Sequence, residues 1–95
     1  MFHHVVFFKV KDGSRANAEK VRDALEAMRG KIEQLRHLEI GIDTLRTERS
    51  WDLALLTRFD SRADLEAYAE HPVHLAAIAS FRDVRESTCV VDWET

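Results

Sequence analysis

Hydrophobic positions alternate from the first residues of the chain. Between Phe2 and Lys11, Phe2, His4, Val6, Phe8 and Val10 share one face of an extended segment, and His3, Val5, Phe7 and Lys9 share the other. Apolar groups on both faces predict a strand covered on both sides, by helices on one and by a partner molecule on the other. Asp12-Gly13-Ser14 reads as a turn and helix cap. Beyond it Val21, Leu25, Met28 and Ile32 recur at helical spacing, with Gly30 as a stop or bend. Leu38, Ile40 and Ile42 alternate with Glu39 and Gly41, a polar stretch runs from Thr44 to Ser50, and Trp51 to Phe59 reads as the next strand. A second helical region from about Ser61 to Val84 is interrupted at His71-Pro72, and the β-rich run Ser87 to Trp93 closes the chain. The order β-α-β-β-α-β predicts an α+β, ferredoxin-like layout: an antiparallel sheet with both helices on one face. The opposite face then needs a cover, so the pattern predicts a homodimer joined through its sheets.

Length and composition narrow the class. The 95 residues predict a single domain over positions 1–95 with one modest core. With 45% hydrophobic and 33% charged residues the chain reads as globular. The formal charge of -3, with fourteen basic residues scattered among acids, argues against a nucleic-acid partner. No apolar run approaches ~18 residues and no basic segment precedes a long apolar one, which predicts neither membrane association nor a signal peptide, and hence a cytoplasmic protein. The lone Cys89 excludes an internal disulfide and reads as a small core residue in a strand. Trp51 and Trp93 are expected at strand ends or an interface, and Arg46, Glu48 and Arg49 as charges keeping a hairpin loop soluble.

Candidate chemistry gathers between Phe59 and His74, which holds the only proline, the only tyrosine and two of the five histidines. Asp60 or Ser61 can cap a helix that Leu65 and Tyr68 continue until Pro72 removes an amide donor. A helix that stops and restarts there can turn Tyr68, His71 and His74 toward one cavity. Alternatively Pro72 simply begins a new helix, with the rings filling a corner. In the later half His74, Ile78 and Phe81 share a side. Histidine exchanges a proton near neutrality, so His74 is the candidate base. The Tyr68 hydroxyl is the candidate donor to a carbonyl oxygen gaining negative charge. His4 and His71 would orient these groups or the substrate, and Val6, Phe8, Ile78 and Phe81 would supply the apolar lining of a small pocket. Four histidines do not make a metal motif here, because His71 and His74 span a proline break and no His-Glu-x-x-His run exists. Three glycines form no phosphate loop, and no serine or cysteine has an activated-nucleophile context, so no cofactor or covalent step is expected.

Three separated segments, His4-Val-Val-Phe-Phe-Lys-Val-Lys-Asp12, Phe59-Asp-Ser with Leu65 and Tyr68-Ala-Glu-His-Pro-Val-His74, and Val90-Val-Asp-Trp93, resemble the stress-responsive dimeric α/β barrel (Dabb) family over nearly the full length. The resemblance implies a ferredoxin-like subunit whose sheet pairs with that of a second copy into a barrel. One branch, the plant polyketide cyclases resembling olivetolic acid cyclase, closes a poly-β-keto chain by aldol condensation without a cofactor, using a histidine and a tyrosine. On this resemblance the histidine falls on His74 and the tyrosine on Tyr68, the strand-one histidine on His4 and the histidine before proline on His71. Two functions follow: a cofactor-independent cyclase, isomerase or lyase acting on a carbonyl-containing small molecule, or a non-catalytic dimeric protein that binds a small hydrophobic ligand or serves a stress response.

Overall fold

A computed structural model describes residues 1–95. Strand β1 (Phe2–Val10) leads through a short turn into helix α1 (Arg15–Glu26), strands β2 (His37–Ile42) and β3 (Leu53–Phe59), helices α2 (Arg62–Glu70) and α3 (Pro72–Ser80), and strand β4 (Arg85–Glu94). The sheet order is β2-β3-β1-β4 with every neighbouring pair antiparallel, the ferredoxin-like α+β arrangement that the alternation implied.

Local chemistry fixes the element boundaries. Ser14 caps α1, its hydroxyl accepting the Asn17 N–H at 3.1 Å, after a turn in which Asp12 and Gly13 both take positive φ. Ser61 rather than Asp60 caps α2, accepting the Asp64 N–H at 3.2 Å. The α1 helix ends at Glu26, earlier than the spacing of Met28 and Ile32 suggested. Both residues remain buried in the turns that follow, because the core needs their side chains whether or not the backbone stays helical.

The core lies between the helices and one face of the sheet. Val6, Phe8 and Val10 of β1, Leu53, Leu55 and Phe59 of β3, and Val21 and Leu25 of α1 are all buried in it. On the free face, Val5 stands opposite Leu56 and Val91, Phe7 opposite Ala54 and Cys89, and His3 opposite Arg58 and Trp93. Cys89 is therefore exposed, a correction to its expected place in the core. It shares the face of Phe7, which no helix covers. All ten residues of β4 are exposed, including Val90 on the helix side.

One polar clasp ties the loops at one end of the sheet. The buried Asp52 carboxylate accepts the Val10 N–H at 2.8 Å and an Arg46 N–H at 2.7 Å, while the Asp43 carboxylate accepts the Arg46 backbone N–H at 2.8 Å. No helix is long and apolar enough to cross a membrane.

Candidate active site

His71 is the pivot of the site. Its backbone is extended (φ -65°, ψ 135°), it closes α2, and its Nδ1 accepts the Val73 N–H at 3.1 Å as the cap of α3. Pro72 follows as the first residue of α3, where its missing N–H costs nothing. Both readings of the proline thus describe one geometry: a new helix starts at Pro72, and the break brings His74 back over Tyr68. Their ring centroids lie 4.4 Å apart at 42°, and Phe59 packs on the tyrosine at 5.0 Å.

Each ring is held by few groups. The Nδ1–H of His74 donates to the Ala69 carbonyl at 3.0 Å, which leaves Nε2 with its lone pair. Burial lowers the pKa of His74 despite that hydrogen bond, and the neighbouring His4 and His71 lower it further, so the imidazole is neutral at pH 7. Tyr68 is the opposite case. It is 1% exposed, its hydroxyl has no hydrogen-bond partner, and burial pushes its pKa well above the usual phenol value. The group is thus a protonated donor lacking an acceptor, an arrangement that costs about 1–3 kcal/mol when nothing fills it.

Below the pair, His4 reaches from β1 and its Nδ1 pairs with the Asp92 carboxylate across the β1–β4 register. Asp92 was not singled out from the sequence. No local pattern in the sequence marks it; the antiparallel pairing of β1 with β4 places it opposite His4. Val6, Phe8 and Phe81 are packed solid, Phe8 meeting Phe81 edge to face at 5.9 Å, and Ile78 lies partly buried against them. The clefts of about 350 and 320 Å³ both lie elsewhere, and neither reaches Tyr68 or His74. No three His, Cys, Asp or Glu side chains converge as metal ligands would.

The family model described as "Stress responsive A/B Barrel Domain" matches residues 2–95. An uncharacterized protein of Streptomyces coelicolor is 34% identical over 86 residues, covering 87% of this chain and 89% of its own length. The stress-response A/B barrel domain-containing protein DABB1 of Arabidopsis thaliana is 33% identical over 95 residues, and the chain spans only 45% of that protein. Among solved structures, a dimeric ferredoxin-like protein of unknown function from Bacteroides fragilis superposes with a TM-score of 0.86 at 32% identity, covering 99% of this chain and 95% of its own. A dimeric ferredoxin-like protein from Thermobifida fusca gives 0.85 at 24% identity, covering 99% and 90%. The hydroxynitrile lyase of Passiflora edulis gives 0.79 at 18% identity, covering 97% and 90%. The last two likenesses are of fold alone.

Proposed function

This chain belongs to the stress responsive A/B barrel domain family, and we propose that it works as a homodimeric, cofactor-independent proton-transfer enzyme on a carbonyl-containing small molecule, in a cyclisation, isomerisation or lyase reaction. The observation that carries this reading is the buried, unpartnered Tyr68 hydroxyl in ring contact with a neutral His74.

In this reaction His74 Nε2 takes a proton from the carbon next to the carbonyl, the electron pair of the broken C–H bond forms a carbon–carbon double bond, and the carbonyl π pair moves onto the oxygen. The Tyr68 hydroxyl donates a hydrogen bond to that oxygen as its charge grows. Because burial holds the phenol protonated, Tyr68 donates without ionising itself. The Ala69 carbonyl fixes the tautomer of His74, and the His4–Asp92 pair anchors the strand side of the site. The hydroxynitrile lyase of similar fold means only that such a framework can host a lyase, and it assigns no reaction to this chain.

Dimerisation rests on the free face. Phe7, Val91 and Trp93 are exposed there, and β4 offers an unpaired ten-residue edge. The relatives of similar fold from Bacteroides fragilis and Thermobifida fusca are dimers, which supports a second copy of this chain as the cover.

The test is exchange of α-protons in a short series of linear methyl ketones, followed by NMR in D2O. The protein is expected to exceed an equal concentration of imidazole, and His74→Ala and Tyr68→Phe to abolish the excess. Exchange no faster than imidazole, or unchanged in both variants, overturns the catalytic reading. The closed packing around the pair favours the second reading in that event, a dimeric protein without turnover.

A further inference from the structure

The largest cleft lies away from Tyr68 and His74, at the end of the sheet where β2 leaves and β3 begins. Its volume is about 350 Å³, and Phe7, Ile42, Leu53, Ala54 and Trp51 give it apolar walls. Gly41 contributes to the floor, and no atom lies within 4 Å of where its Cβ would stand, so the space above it is open. One cation belongs to the lining and a second lies against its indole. The Arg49 side chain lines the opening and makes neither an ion pair nor a hydrogen bond. Lys9 Nζ sits 4.9 Å from the centroid of the Trp51 ring and has no carboxylate partner. The one acid in the lining, Asp43, is already engaged by the backbone and guanidinium of Arg46.

An apolar slot walled by an indole, edged by the unpaired Arg49 and with Lys9 held over that indole, selects a flat hydrophobic body carrying one negative charge. Burial of the body supplies affinity, and the lysine and arginine fix the orientation of the anionic end. We infer that this cleft is a second binding site, independent of the Tyr68–His74 pair, for a small aromatic carboxylate. Phe7, Gly41 and Ala54 belong to the free sheet face, whereas Asp43, Arg49 and Trp51 come from the β2–β3 connection beyond it. The site therefore straddles the margin of the proposed dimer face.

Calorimetric titration of the intact protein with 2-naphthoate and with its neutral isostere 2-naphthamide tests the assignment. One naphthoate is expected per chain, bound more tightly than the amide. The double variant K9Q/R49Q should weaken naphthoate roughly five- to tenfold, the effect of losing two partly exposed charge contacts, and change the amide less than about twofold. Trp51→Ala should weaken both ligands, and His74→Ala neither. Unchanged naphthoate affinity in K9Q/R49Q overturns the proposal. So does unchanged binding of both ligands in Trp51→Ala, which would move the ligand to the groove between α1 and α3 beside Lys31. Absence of binding at millimolar naphthoate also overturns it, and means that the partner copy fills the cleft.

Discussion

Replacing Tyr68 with phenylalanine separates the two jobs that the residue does. The ring is 1% exposed and packs between Phe59 at 5.0 Å and His74 at 4.4 Å, and phenylalanine keeps both contacts. What disappears is one hydroxyl that is buried and makes no hydrogen bond. An orphaned buried polar group costs about 1–3 kcal/mol, so its removal should leave stability unchanged or raise it by up to that amount. At roughly 4–8 °C per kcal/mol for a domain of this size, the melting temperature should rise by several degrees or stay level. Tyr68→Ala is the control, since losing the ring from a packed core costs about 3–5 kcal/mol. Urea denaturation at one fixed protein concentration is the assay, because stability in a dimer depends on concentration. A phenylalanine variant that is no less stable but has lost α-proton exchange would mark the hydroxyl as kept for a ligand at the expense of the fold. A loss of more than about 1 kcal/mol in Tyr68→Phe refutes the reasoning, because the hydroxyl would then have a partner in the folded protein.

The remaining expectations are narrower. Asp52→Ala should cost about 1–3 kcal/mol by stranding the buried Val10 N–H, whereas Arg46→Ala, at an exposed guanidinium, should cost about 0–1 kcal/mol; the reverse ranking in urea melts would refute the account of the clasp. His74 is harder to protonate in the folded chain than in the unfolded one, so the unfolded chain binds more protons between the two values and stability there rises with pH. The contribution is complete above the unfolded value of ~6.5 and is lost as pH falls through the lower folded value; His74→Gln should flatten this part of a stability–pH profile, and an unchanged slope would contradict it. Phe7→Asp should place a charge in the proposed interface and convert a dimer to a folded monomer by light scattering, with its helical circular dichroism retained. A variant that stays dimeric would locate the interface elsewhere.

Where burial follows from one chain alone, the sequence was readable. The alternation of β1 placed Val6, Phe8 and Val10 on the helix side and Phe7 and Lys9 on the other, because a central strand has fixed neighbours on both edges. Periodicity was less informative at the end of α1, since Met28 and Ile32 keep a helical spacing inside turns. It misplaced Cys89 because β4 is an edge strand whose residues are exposed on both faces, and a β-rich composition does not say that a strand lies at the edge.

The same division explains the candidate site. Tyr68 and His74 could be found from sequence because the proline that separates their helices also sets their relation, through bonds spanning only a few residues. Asp92 lies 88 residues from His4 and becomes its neighbour only through the β1–β4 register, so no local pattern announces it. The open pocket expected above these residues depends on packing, and the isolated chain closes it by bringing Tyr68 into ring contact with both Phe59 and His74. A substrate must therefore displace side chains to reach the hydroxyl. The side of that contact expected to yield is α3, whose Leu75, Ala76 and Ala79 face solvent, because Tyr68 is buried in the core. Access governed by α3 predicts that ligand binding orders this helix, and slower amide exchange from Leu75 to Ala79 on adding a bound ketone would be its signature. Protection that appeared only in β4 would place the ligand at the sheet face instead.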